Sequence, residues 1–316
     1  MTTTADSATD LPDAEQRPSA VTAKDIAQAG STRRTRDSRL KIWVGSVCAL
    51  VVILPVAFAR VLPLQDPDAT DLGSRRLAPL TDGHLFGTDQ LGRDLLSRVL
   101  YGGQVSLLVG ILAVLVSGLI GLTLGAVAGY FGGWVDTVIS RLLEAQLSLP
   151  LLMMLLLVVA LFGPSLPVIT FVIAIAQWPE IARVTRSLVL VEREKPYIAA
   201  SRVLGLGKIA ILTRHIIPNV IKQTSLVVLL LLAQAVLLES ALSYLGAGPQ
   251  RPFATWGRII SDGQDYITTS WWLVTLPGLV IVLLVIGVNL VGDGLRDRPA
   301  GSGARALLGR LTGKKA

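Results

Sequence analysis

The chain has 316 residues, of which 52% are hydrophobic and only 16% charged, and its mean hydropathy is +0.61. Soluble domains carry about 25% charged residues, and the apolar residues here fall in long blocks, so a water-soluble fold is excluded in favour of a polytopic membrane protein. The net charge of +7 is the kind that basic loops and tails of a membrane protein supply, and it gives no reason to invoke nucleic acid. A single cysteine, Cys48, excludes an intramolecular disulfide, and one cysteine with two histidines makes a His/Cys metal cage improbable, so no metal site is expected.

Residues 1–40 are rich in Thr, Ser, Ala, Asp and Arg and hold no aromatic residue. Such a segment buries too little apolar area to offset its ordering entropy and is expected to be a disordered tail. Arg33, Arg34, Arg36, Arg39 and Lys41 close it. A first span follows at 42–62, because about 20 apolar residues cross the hydrocarbon layer. Ala57-Phe58-Ala59 resembles a processing site, but a basic leader near 40 residues is too long for a signal peptide.

Further spans are expected at 104–130, 137–162, 167–188, 223–245 and 271–292, giving six. Pro164 and Pro167 with Gly163 make a turn between the third and fourth, and this is the one Gly/Pro break read in the apolar segments. The boundaries divide the chain into a tail (1–40), a first helix with an outer segment (41–103), a main membrane domain (104–293) and a basic tail (294–316). Both tails and the 188–222 loop are rich in Lys and Arg, which places both termini and that loop in the cytoplasm.

Gly121, Gly125 and Gly129 form two overlapping GxxxG spacings that invite close helix packing, with a partner in the same chain or another. Glu144, Glu180 and Glu239 lie within or beside spans, where ionisable groups are costly. Glu180 is expected to pair with Arg183 at i, i+3, while Glu144 and Glu239 are candidates for a transport path. His84 reads as a solvated residue among aspartates and His215 as a polar interface residue. Trp43, Trp134, Trp178, Trp256, Trp271 and Trp272 fall mostly at span ends, the pattern of an interfacial anchoring belt.

The 188–222 loop is long and patterned. Tyr197 to Leu204 reads as a short helix with small surface residues, ended by Gly205 and Gly207 in a left-handed turn. Pro218 suits the first turn of the helix that follows. Such a helix fits either a groove on another protein or a lipid surface.

YIAASRVLGLGKIAILTRHIIPN, Tyr197 to Asn219, resembles the EAA loop of permease subunits in ATP-binding-cassette (ABC) importers. It matches at Ala200, Gly205 and Pro218, and departs at Ala199, where the family often has Glu, and at Ser201, where it has Ala. Phe86 to Arg98, the Trp178/Ala182/Arg183/Arg186 block, Glu239 to Gly246 with Thr255-Trp256-Gly257, and Asn289 to Asp297 are similar to blocks of the C-type permeases in the dipeptide/oligopeptide/nickel group. The resemblance covers roughly residues 40–299 and leaves out the tails.

It implies an all-helical, six-span type I importer fold in a bacterial inner membrane, with a coupling helix formed by Tyr197, Ala199, Ala200, Ser201, Arg202 and Leu204 up to Gly205, and then Pro218. It implies a second homologous permease, two ATPase subunits that bind ATP and Mg, and an extracytoplasmic solute-binding protein. The chain has no G-x-x-x-x-G-K-[ST] loop, since Gly205-Leu206-Gly207-Lys208 lacks the upstream glycine and the following hydroxyl residue. No cofactor and no catalytic activity are therefore expected of it. Nickel or another small solute is the alternative cargo within the family. A stand-alone secondary transporter or channel, or a membrane scaffold, is the alternative outside it.

Overall fold

The computed structural model describes residues 23–250 and 253–297, and these are helical with no strand among the described residues. Helix α1 runs Ala23–Ala57 and α2 runs Leu95–Phe131. Residues 23–40, expected as tail, thus continue the first span as helix. Extending an existing helix needs no new nucleus, and Ala, Lys, Arg and Gln propagate it well. Residues 1–22 and 298–316, which hold the rest of the expected tails, lie outside the described residues.

Asp94 caps α2 by accepting the Ser97 amide at 2.8 Å, which starts the helix well before residue 104. The boundary expected at 103/104 therefore falls inside a helix. Gly132, at φ 65, ends α2 and opens α3, Gly133–Leu147. Helix α4, Leu151–Phe162, then departs at 88° to α3.

That bend corrects the straight span expected at 137–162. Pro150 stands at the N-cap of α4 and offers no amide to continue the α3 ladder. Among the described residues five helices are long and apolar enough to cross a membrane, and six spans result if the bent α3–α4 pair counts as one. The apolar segments therefore carry a second break, at Pro150, besides the turn at Gly163.

Gly163, at φ 83, turns the chain into α5, Leu166–Glu192. Next come the short α6, Pro196–Val203, and α7, Lys208–Ile211. A π-helical turn, Leu212–Ile216, leads straight into α8, Ile217–Tyr244. The wider turn lies where Pro218 cannot donate a backbone hydrogen bond, so the helix passes the proline without a break. Helices α9, Trp256–Gly263, and α10, Trp272–Arg296, complete the chain.

Close packing of α2 on α5 organises the centre. A Cβ on Gly121 would lie 2.6 Å from Ile181 Cβ, and one on Gly129 would lie 2.8 Å from Arg186 O. One on Gly125 would collide with Ala182 O. The glycine stripe therefore faces a helix of the same chain. On the other flank α1 meets α10 through Gly45 and Gly287, where an added Cβ would come within 2.7 Å of Gly287 O and 2.6 Å of the Ala49 amide respectively.

The segment between α1 and α2 is held by a buried polar cluster. Asp89 Oδ2 accepts from Arg93 Nε at 2.7 Å and from Arg98 Nη1 at 2.5 Å. Arg98 also reaches Asp262 of α9 at 3.5 Å. His84 is buried rather than solvated, with Nδ1 2.9 Å from Asp94. The expected tryptophan belt is divided as well. Trp43, Trp134 and Trp271 are exposed, but Trp178, Trp256 and Trp272 are core residues. The Trp256 indole donates to Val99 O at 2.8 Å and that of Trp178 to Gln146 Oε1 at 2.8 Å, so each satisfies its one donor inside the bundle.

Candidate functional site

The loop between α5 and α8 builds its short helix from local chemistry. Lys195 and Pro196 start α6, with the proline in the first turn where its missing amide is no loss. At the far end the Gly205 amide donates to Arg202 O at 3.0 Å and the Leu206 amide to Ser201 O at 3.2 Å. This pair of bonds is a Schellman stop, and Gly205 takes the left-handed conformation it needs, φ 79, in open space. Gly207, expected to share that role, does not. Its φ is −65, and it caps α7 instead.

The two faces of α6 differ sharply. Ile198 is fully buried and Ser201 nearly so, its hydroxyl donating back to Tyr197 O at 2.9 Å. Ile198 packs in a small core with Ala126 of α2, Val189 of α5, and Ile211, Ile216 and Val220. Burying such a side chain contributes about 1.5–3 kcal/mol, which ties α6 to three long helices at once. Ala199, Ala200, Arg202, Val203 and Leu204 point outward, with Val203 88% and Leu204 79% exposed. Ser201 therefore supports the outer surface from below, and Val203 joins that surface.

A polar bracket fixes the orientation. The Tyr197 hydroxyl donates to Glu192 Oε1 at 2.5 Å, and Asn219 Nδ2 donates to the Tyr197 oxygen at 3.0 Å. Lys195 Nζ stands 2.6 Å from Glu192 Oε2. Arg193 Nη1 donates to Gly129 O at 2.8 Å, so the bracket reaches α2. Burial first, and then the hydrogen bond to Glu192, raises the Tyr197 pKa above the usual tyrosine value. The Lys195 pKa is raised chiefly by its hydrogen bond to Glu192. Glu192, just outside the Tyr197–Asn219 stretch, and Asn219, its last residue, join α5 and α8 to α6. Their separation in sequence, across two turns and a π segment, hides the contact from spacing arguments.

The remaining candidates are placed apart from this loop. Glu144 is on the exposed surface of α3, paired with Arg141 at 2.9 Å. Glu239, a candidate path residue, is fully buried in α8 and accepts from Ser243 Oγ at 2.6 Å, so its carboxyl meets no surface of the subunit in this structure. Glu180 and Arg183 are both exposed and not joined in the expected ion pair, while the neighbouring Arg186 binds Asp136 through two hydrogen bonds of 2.5 and 2.6 Å. The backbone oxygen of His215 accepts from Asn219 at 3.0 Å, which lends its turn to the bracket. No cluster of His, Cys, Asp and Glu suited to a metal ion occurs among the described residues.

Known proteins share this sequence and shape. Residues 121–298 match the family of the binding-protein-dependent transport system inner membrane component. A dipeptide transport system permease protein, DppC, of Alkalihalophilus pseudofirmus is 37% identical over 265 residues, covering 84% of this chain and 86% of that protein. An oligopeptide transport system permease protein, OppC, of Haemophilus influenzae is 38% identical over 268 residues, covering 84% and 86%. The inward-facing MetNI methionine ABC transporter has a similar fold, with a TM-score of 0.52 and 19% identity over 63% of this chain and 94% of that one. The chain thus belongs to the family of binding-protein-dependent transport system inner membrane components, as a multi-pass permease subunit of an ABC importer.

Proposed function

We propose that this subunit forms half of a translocation path for dipeptides or oligopeptides, and that α6 is the helix through which ATPases drive it. The second half would be a homologous permease, and a solute-binding protein would deliver cargo from outside. ATP and Mg would be bound by two ATPase subunits on the side of both termini and α6, the cytoplasm. The names of the relatives support the cargo class.

The carrying observation is the two-faced α6. Its outer face, Ala199, Ala200, Val203 and Leu204, is small and apolar enough to enter a groove, and Arg202 beside it can meet an acidic rim. Its inner face is held by the Ile198 core and the Glu192–Tyr197–Asn219 bracket. A displacement of α6 would therefore carry α2, α5 and α8 with it. A lipid-resting helix needs no such rigid bracket, which favours protein docking.

Reconstitution of the full transporter tests this reading. ATP-dependent uptake of a radiolabelled dipeptide or oligopeptide is expected, and it should vanish with Ala200→Trp although the subunit inserts normally. Nickel uptake without peptide uptake would overturn the cargo assignment. Full uptake by the Ala200→Trp transporter would overturn the docking role of α6.

A further inference from the structure

Helices α5 and α8 lie side by side and antiparallel. Gln177 Nε2 donates to Leu231 O at 3.1 Å, and Thr185 Oγ1 meets Thr224 Oγ1 at 3.3 Å. Helix α2 covers one side of the pair, with Gly121 and Gly125 against α5 and Gly110 and Gly118 against Val236 and Val228 of α8. A residue three positions beyond a contact is turned back by about 60° on an α-helix. Applied to Gln177 and Leu231, this sends Glu180 and Gln234 to the same side, the one opposite α2. Both are exposed, as are Arg183 and Ser187 farther along α5.

These groups are deep in a span. Glu180 lies about 18 Å of helix rise from the Glu192 end of α5 and about 21 Å from its start. Among the described residues neither Glu180 nor Arg183 has an ion-pair partner, Arg186 being taken by Asp136. Bare charges against acyl chains are costly, and such residues face a bundle interior or water. The exposed faces of α2 and α4 contrast with this one: Leu108, Leu112, Leu115 and Leu119 on α2, and Met153, Leu157 and Leu161 on α4. Those surfaces suit lipid. The α5–α8 face does not.

We infer that Glu180, Arg183 and Gln234 line the water-filled side of this subunit, where Glu180 and Arg183 offer a passing peptide one carboxylate and one guanidinium. The pair matches the ammonium and carboxylate ends of a zwitterionic peptide. One helical turn separates the two charges, a span comparable with an extended dipeptide of at most about 7 Å. The charge match rests on the peptide-import reading above, whereas the wet face stands on the geometry alone.

The test uses the complete transporter, with Cys48→Ala as background. Absence of peptide uptake by the unmodified transporter would overturn the peptide reading, and with it the charge match, without touching the wet face. For the face itself, Glu180→Cys and Gln234→Cys are treated with a charged, membrane-impermeant methanethiosulfonate, beside Leu112→Cys and Leu157→Cys. Reaction about tenfold faster at 180 and 234, in either the nucleotide-free or the ATP-trapped state, is expected of water-facing sites. Equal rates at all four positions, or protection of Glu180→Cys in both states by the second permease, would overturn the assignment. For the charge match, Glu180→Lys should lower Lys-Lys uptake about fivefold relative to Asp-Asp, because like charges then meet in the path. An unchanged ratio would overturn it.

Discussion

The Tyr197 hydroxyl donates a 2.5 Å hydrogen bond to Glu192, which joins the first turn of α6 to the last turn of α5. A hydrogen bond to a charged group contributes about 1.5–3 kcal/mol, reduced here because Tyr197 is 39% exposed. Tyr197→Phe should therefore loosen α6 by roughly 1 kcal/mol without unfolding the bundle. Faster amide hydrogen exchange at 198–204, with unchanged exchange in α2, is the expected reading. The same bond sets a pH dependence. Because the Tyr197 pKa is raised, its contribution is complete below the ordinary tyrosine value and is lost as pH rises through the higher one. Protection of α6 should be flat through neutral pH and fall in strong alkali.

Gly205 separates a conformational requirement from a contact requirement. Its φ of 79 would strain an L-residue by about 1–2 kcal/mol, yet nothing lies within 4 Å of an added Cβ. Gly205→Leu should uncouple ATP hydrolysis from uptake while leaving insertion and abundance intact. Gly205→Asn should retain most uptake, because asparagine tolerates the left-handed region. If both variants behave alike in a transport assay, the stop of α6 is not what matters at this position.

Much of this architecture is legible in the residues, and the reasons differ by element. Apolar block length gives the spans, and the Gly205 stop and proline spacing give α6. Pro150 is a single residue in an apolar run, and only three-dimensional packing shows that it turns α4 through 88°. Side-chain direction is the other hidden quantity. Ser201 faces the core and Val203 the surface, although their neighbours in the motif suggest a uniform small-residue face. Depth in a span and a neighbouring arginine do not reveal direction either: Glu239 is enclosed among hydroxyls, while Glu180 is left exposed and unpaired with Arg183.

Two glycines of α2 offer a matched comparison. A Cβ at Gly125 collides with Ala182 O, a backbone atom that cannot swing away. At Gly118 the nearest atom is Val228 Cγ2 at 3.5 Å, an ordinary contact. Gly125→Ala should therefore cost about 1–3 kcal/mol by overpacking, and Gly118→Ala should be neutral or slightly stabilising. Thermal denaturation of the detergent-solubilised transporter, followed through this subunit, should separate the two variants.

Asp136 and Arg186 clamp the start of α3 to the inner part of α5 through two parallel hydrogen bonds. Bidentate geometry of this kind is the strong form of the Arg–carboxylate pair, but side-chain exposures of 34% and 22% hold its net worth to about 1 kcal/mol. Either Asp136→Asn or Arg186→Gln should release α3 while α2 stays packed on α5, since the glycine contacts do not depend on the pair. The exchanged double variant, Asp136→Arg with Arg186→Asp, should recover part of the loss, because both partners keep their reach across the same gap. Amide hydrogen exchange of α3, residues 133–147, in the solubilised transporter is the measurement. A released α3 frays from the Asp136 end, so exchange there should rise in the single variants and fall again in the double one. Equal exchange in all three would mean that α3 is held by Leu143 and Gln146 against Trp178, and that the ion pair adds nothing.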